Sequence, residues 1–272
     1  PFVNRYCSGQ REASNLKELN FNLWQYCMFR REKSLVLTDL PDKIRQVNTC
    51  EITNRKEYMD AERDLIMYLQ KYKDADDDKI EKALRGEVMV RINILRQISA
   101  RGKVRDVIEF VKDFRENGKK IILFCSLHEV VDQLKRYFPT AVSVTGRDSQ
   151  DEKQRAVDAF QNNPKADIII CSIKAAGVGL TLTASSNVAF VEFPWTYADC
   201  CQCEDRAHRI GQKDSVTCYY FLGRRTIDEK VYRIIQEKKN IANAVTGSTE
   251  DIEENIVDMV ARIFDTDYDE ED

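Results

Sequence analysis

The segment richest in potential chemistry is Gln202-Cys203-Glu204-Asp205-Arg206-Ala207-His208-Arg209-Ile210-Gly211-Gln212. On a helix Gln202, Arg206 and Arg209 stand at i, i+4 and i+7 and leave from one face. Two permanently charged, planar guanidiniums beside an amide suit phosphate oxygens. The alternative is a surface helix whose arginines pair with Glu204, Asp205 or nearby acids. A second segment, Ser172-Ile173-Lys174-Ala175-Ala176-Gly177-Val178-Gly179-Leu180-Thr181-Leu182-Thr183, follows an apolar run directly. Its small residues let backbone N–H groups approach a ligand, and Ser172 and Lys174 could take phosphates. Read in isolation, the segment fits a tight strand-to-helix crossing better. Phe124-Cys125-Ser126-Leu127-His128 and Thr145-Gly146-Arg147 end two further apolar runs with polar groups.

The elements that must position these groups alternate. Continuous apolar runs at 121–124, 141–144, 167–171, 188–193 and 216–222 predict buried parallel strands. Between them lie amphipathic helices. One ends at Asn117-Gly118, one stops at Pro139, one opens on the capping-box spacing Ser149-x-x-Glu152, a polar one covers about 198–209, and one spans Ile227–Ala244. Residues 101–246 thus read as a doubly wound α/β domain, in which ligands collect at the carboxyl ends of the strands. The four segments above occupy such ends.

Upstream, Leu16, Leu19 and Leu23 begin one amphipathic stretch that closes before Leu40-Pro41. Two stripes, Tyr58–Leu65–Leu69–Tyr72 and Ile80–Leu84–Val88–Ile92–Leu95–Ile98, then predict an antiparallel helical pair with a charged loop between. The organisation expected is therefore 1–50, a helical insertion at 51–100, an α/β lobe at 101–246, and an acidic helix and tail at 247–272.

The 272 residues allow one large domain or two modest ones. No run reaches the roughly 20 apolar residues of a membrane span. Nine scattered cysteines predict reduced thiols inside a cell. Cys200 and Cys203 make one C-x-x-C spacing, but zinc would want a second pair, and the histidines number two; no metal site is expected. From Ser248 onward eleven acids stand against Arg262 alone, so a −10 tail and a +6 body make up the net −4. A basic body is compatible with a polyanionic partner. The chain opens on Pro1 without a signal-like segment and reads as part of a longer protein. It has no G-x-x-x-x-G-K-[ST] and no acidic pair at a strand end to hold Mg²⁺, because Asp151-Glu152 and Asp228-Glu229 begin predicted helices. Such a chain would not hydrolyse a nucleotide alone.

Ser-x-Lys-Ala-Ala-Gly-x-Gly-Leu-Thr-Leu-Thr-Ala, then Phe193-Pro194-Trp195, then the 202–212 segment, in this order and spacing, resemble the second RecA-like lobe of Swi/Snf-type DNA translocases of helicase superfamily two. Residues 29–43 resemble the bridge between that family's lobes, and the stretch before them the end of the first lobe. The helical insertion resembles the annealing-helicase subgroup. The family usually has Asn-Pro where Thr196-Tyr197 stand, Asn at Thr181 and Gly at Ala176.

The resemblance implies that Arg206 and Arg209 are arginine fingers for an ATP, with Mg²⁺, bound mainly by the first lobe of the same polypeptide. It further implies that Gln202, Gly177 and Gly179 couple nucleotide to nucleic acid, and that Ser126, Gly146, Ser172 and Lys174 touch the backbone of double-stranded or branched DNA. Trp195 would touch the minor groove. It implies a DNA-dependent ATPase in the full-length protein and a nuclear or cytoplasmic location according to source, with no membrane partner. The rival readings are a non-catalytic RecA-like interaction module and the second lobe of an RNA helicase.

Overall fold

The computed structural model describes residues 5–6, 15–27, 37, 39–73, 78–176, 179–244, 260–261 and 264. The bridge at 29–36, Gly177 and nearly all of the acidic tail lie outside them. The chain forms two compact units, one of residues 1–38 with 232–272 and one of residues 39–231. In the first, helix α1 (Leu16–Tyr26) carries Glu18, which pairs with Arg5 at 2.6 Å.

The second unit holds the sheet. Its elements are β1 (Lys43–Cys50), α2 (Arg55–Lys73), α3 (Asp78–Glu116), β2 (Ile121–Cys125), α4 (His128–Tyr137), β3 (Val142–Val144), α5 (Gln150–Asn162), β4 (Ile168–Ser172), α6 (Ile173–Ala176), β5 (Asn187–Phe190), α7 (Tyr197–Glu204), β6 (Val216–Gly223) and the start of α8 (Ile227–Ala244). The six strands are all parallel, in the order β1-β6-β5-β2-β4-β3. This is the parallel α/β architecture the apolar runs predict, and it agrees with the RecA-like lobe that the resemblance implies.

The two faces of the sheet follow from the period of two in its strands. Ile121, Leu123 and Cys125 of β2 meet Val104, Val107 and Val111 of α3 and Val130, Val131 and Leu134 of α4. The intervening Phe124 stacks on its register partner Phe190, with ring centroids 5.3 Å apart. Phe190 in turn stacks on Tyr220 at 4.9 Å, and Phe193 stacks on Tyr220 at 5.6 Å. The capping box forms as spaced: Ser149 N donates to Glu152 at 2.8 Å and Glu152 N to Ser149 Oγ at 3.3 Å.

Three expectations need correction. First, a strand stands where none is expected: β1 is an edge strand whose sequence, Lys-Ile-Arg-Gln-Val-Asn-Thr-Cys, lacks the apolar run of its neighbours, because an edge strand buries less. Second, the helix reaching Ile98 and the helix from Val104 are one, α3, of 39 residues. Gly102 does not break it. A Cβ there would collide with Asn54 and lie 2.7 Å from Ile52 Cβ, so the glycine serves a close approach inside the helix. Third, the polar helix expected to 209 ends at Glu204.

Next to Gly102, Lys103 is fully buried. Its Nζ donates to Asp228 Oδ2 at 2.6 Å, Val191 O at 2.7 Å and Phe221 O at 2.9 Å. Asp228 Oδ2 also accepts from Ser99 Oγ and Gly223 N. Removing one partner of a buried ion pair leaves the other charge uncompensated. Lys103→Met keeps most of the stem volume and should still cost about 3–5 kcal/mol in denaturant titrations. A loss under about 1 kcal/mol would show that the Lys103–Asp228 pair contributes little to stability.

Candidate functional site

Thr196 and Glu204 set the placement of the arginine segment. Thr196 caps α7, its Oγ1 accepting from Asp199 N at 2.9 Å, and so does the capping work for which Asn is equally suited. Beyond Glu204 the backbone tightens: Arg206 N bonds to Cys203 O, Ala207 N to Glu204 O and Arg209 N to Ala207 O. Arg206 and Arg209 therefore project from successive turns and share no helical face with Gln202, which is exposed on α7.

Glu204 and Asp205, the acids that could have neutralised these arginines, are engaged elsewhere. Glu204 is wholly buried and accepts two bonds from Arg45 of β1, at 2.7 and 2.6 Å, one from Lys43 at 2.9 Å, and the Tyr220 hydroxyl. Burial pushes its carboxyl upward, but the Arg45 bonds, the Lys43 and Arg45 charges and the Tyr220 hydroxyl outweigh that and hold it below the usual carboxylate range. Asp205 pairs with Lys43 at 3.2 Å, and the ring Nε2 of His208 meets Pro41 O at 2.7 Å. Gln212 closes the segment from the other side: its amide donates to Ser185 O at 2.9 Å and Ala207 O at 3.2 Å, and its carbonyl accepts from Lys213 N and Asp214 N.

That leaves the arginines without carboxylates. Among the described residues neither Arg206 nor Arg209 makes an ion pair. Arg206 Nε is buried and has no hydrogen-bond partner. Burial lowers the Arg206 pKa and the Arg209 charge adds to the effect, with Cys203 and Asp205 pulling the other way. Arg209 reaches the loop after β4, donating to Gly179 O at 3.3 Å and Leu180 O at 3.4 Å, while Leu182 N donates to Arg206 O at 2.8 Å. Gly179 sits at φ +62, a conformation side chains resist. The structure thus gathers Arg206, Arg209 and Gly179 in one place.

Ser126, Lys174 and Trp195 form a second group, on the rim of a cleft of about 300 Å³ at the carboxyl ends of β2, β4 and β5. Lys174 is exposed and Ser126 is exposed. Glu192 fixes the Ser126 turn, its Oε1 accepting from Ser126 N at 3.0 Å and Leu127 N at 2.8 Å. Ser172 is placed differently. It is buried, and its Oγ accepts from Ala175 N at 3.2 Å, so its hydroxyl closes the turn into α6. Gly146 is exposed after β3, and a Cβ there would meet nothing within 4 Å. Nothing within the fold demands glycine at 146.

Reasoning from the sequence did not find Lys43 and Arg45, which through Glu204 hold the arginine segment, nor Glu192, Asn93, Arg96 and Gln97, which line the cleft. Glu192 was within reach, since it lies just past β5 beside the Phe-Pro-Trp turn. No signal marked the residues of β1 and α3.

Residues 102–211 match the family described as helicase conserved C-terminal domain. The chain is 30% identical over 252 residues to the SWI/SNF-related matrix-associated actin-dependent regulator of chromatin subfamily A-like protein 1 of Xenopus tropicalis, covering 87% of this chain and 26% of that protein. It is 30% identical over 270 residues to the DNA annealing helicase and endonuclease ZRANB3 of Homo sapiens, covering 91% of this chain and 24% of that one. The chain thus spans about a quarter of the length of these two curated relatives. Among solved structures, the Sulfolobus solfataricus SWI2/SNF2 ATPase core domain superposes with a TM-score of 0.62 at 23% identity, over 86% of this chain and 51% of that one. The same core in complex with dsDNA gives 0.60 at 23%, over 83% and 50%. Residues 102–211 carry the helicase conserved C-terminal domain, and in sequence segments, sheet order and likeness alike the chain is similar to the C-terminal lobe of Swi/Snf-type helicases.

Proposed function

We propose that this chain is the second ATPase lobe of an ATP-dependent double-stranded DNA translocase, inactive as an isolated lobe and working inside the cell against a first lobe of the same polypeptide. The observation that carries the reading is the pair of unneutralised guanidiniums. Glu204 and Asp205 are tied to β1, and Arg206 and Arg209 are left without carboxylates. A buried Nε with no partner is costly unless an anion comes to it, and a polyphosphate fits that demand.

ATP, held with Mg²⁺ mainly by the first lobe, would supply the phosphoryl group whose transfer to water releases free energy. Arg206 and Arg209 would lay positive charge on its oxygens as charge spreads over them in the transition state. The bonds from Arg209 to Gly179 and Leu180 would report that event to the loop containing Gly177 and Gly179, and Gln202 would add its amide at the same boundary.

Lys174 and Ser126 around the cleft, with Gly146 and Ser172 at the neighbouring strand ends, would follow the DNA backbone without reading sequence, and Trp195 would touch the minor groove. The relatives named for DNA annealing and the likeness to a core solved with dsDNA support duplex or branched DNA as the partner.

Lys174→Glu in the full-length protein should weaken duplex binding about tenfold, alike for unrelated sequences, in anisotropy titrations. A loss confined to one sequence, or none, overturns the backbone-tracking role.

A further inference from the structure

We infer that the 93–97 turn of α3 belongs to the nucleic-acid interface, with Arg96 holding Trp195 in place and adding a second cation to the cleft. This deepens the DNA reading above and rests on it. Asn93, Arg96 and Gln97 stand at i, i+3 and i+4, so they share one face of α3, and all three line the cleft with Ser126, Lys174 and Trp195. The Arg96 guanidinium carbon lies 3.8 Å from the centre of the Trp195 ring. Its Nη2 donates to Phe193 O, two residues before that tryptophan. A plane stacked on the indole and bonded to the preceding backbone leaves the ring little freedom to turn.

The charge is the second half of the argument. Among the described residues no carboxylate lies within ion-pair distance of Arg96. Burial lowers its pKa, and the charges of Asp228 and Glu192 offset this only in part. The cleft contains two acids, and neither is bonded to Arg96. Glu192 is turned onto the Ser126 and Leu127 amides, and Asp199 sits in the first turn of α7, where the helix N-terminus favours a negative charge. Arg96 and Lys174 remain, two cations on one cleft in want of an anion. The helical hairpin is then one wall of the binding groove.

The test uses the full-length protein and a labelled DNA duplex titrated at several salt concentrations. Gln97→Glu changes an exposed helix position and should not disturb folding. It should weaken binding about threefold to tenfold by placing a carboxylate against phosphates. Arg96→Gln should lower the slope of log affinity against log salt by about one, and Arg96→Lys should restore that slope while the Trp195 emission stays altered. Lys174→Glu separates the two levels of the argument. If it weakens binding while Gln97→Glu and Arg96→Gln both bind as wild type does, the α3 inference is overturned and the DNA reading stands. If Lys174→Glu also has no effect, the DNA reading falls and takes this inference with it.

Discussion

Arg206→Ala and Arg209→Ala should each lower DNA-stimulated ATP hydrolysis by about 10³-fold or more in the full-length protein, at the low end of what a single arginine finger supplies. The loss should fall on turnover rather than on ATP affinity, because the charge matters most where the transferring phosphoryl group spreads its own. The double variant should be little worse than either single one, since groups acting on one transition state are not additive. Neither change should cost much stability, for among the described residues neither side chain has a carboxylate to lose. Arg209→Lys keeps the charge, loses the planar fork, and should recover only part of the rate. Steady-state hydrolysis with saturating duplex, run beside thermal melts, decides the matter. Rates equal to wild type would remove the catalytic reading.

The second large effect concerns what holds those arginines. Glu204→Ala strips a buried carboxylate from Arg45, Lys43 and Tyr220 at once. About 3 kcal/mol should be lost, which for a unit of this size lowers the melting temperature by roughly 6–12 °C. The arginine loop is loosened from β1 in the same stroke, so hydrolysis should fall too. Glu204→Gln gives a cleaner signature through pH. A carboxyl whose pKa is lower folded than unfolded contributes its full stabilisation above the unfolded value, and that contribution drains away as pH falls through the folded value. The wild-type melting temperature should therefore drop on acidification more steeply than that of Glu204→Gln. Parallel acid limbs would show that the Arg45–Glu204 pair contributes nothing through ionisation.

Five of the six strands were legible because each is a short apolar run facing two covered sides, as Ile121–Cys125 and Ile168–Ser172 illustrate. β1 was not legible because its side chains work as tethers: Arg45 and Lys43 are polar for the sake of Glu204. The same tether explains the arginine segment. Its residue types pointed to an anion site, but helical spacing could not foresee that α7 stops at Glu204 once that side chain is drawn under β1 and β6. Inside α3, Gly102 is clearance for Asn54 and Ile52, a contact between residues about fifty positions apart. Where sequence reasoning missed, a long-range contact had overruled a local preference.

The edge position of β1 also bears on how the chain is made. Among the described residues its sheet neighbour is β6 alone, and the pair Arg45–Glu204 joins positions 159 residues apart. During synthesis from the N-terminus β1 emerges long before either partner, and so stays an unpaired strand while everything up to β6 is made. Closure of the sheet is the last pairing and the one of highest sequence separation, which makes it the slow step of folding. Nascent chains halted before Val216 should be cleaved readily around 43–50, and that sensitivity should vanish once Gly223 has cleared the ribosome.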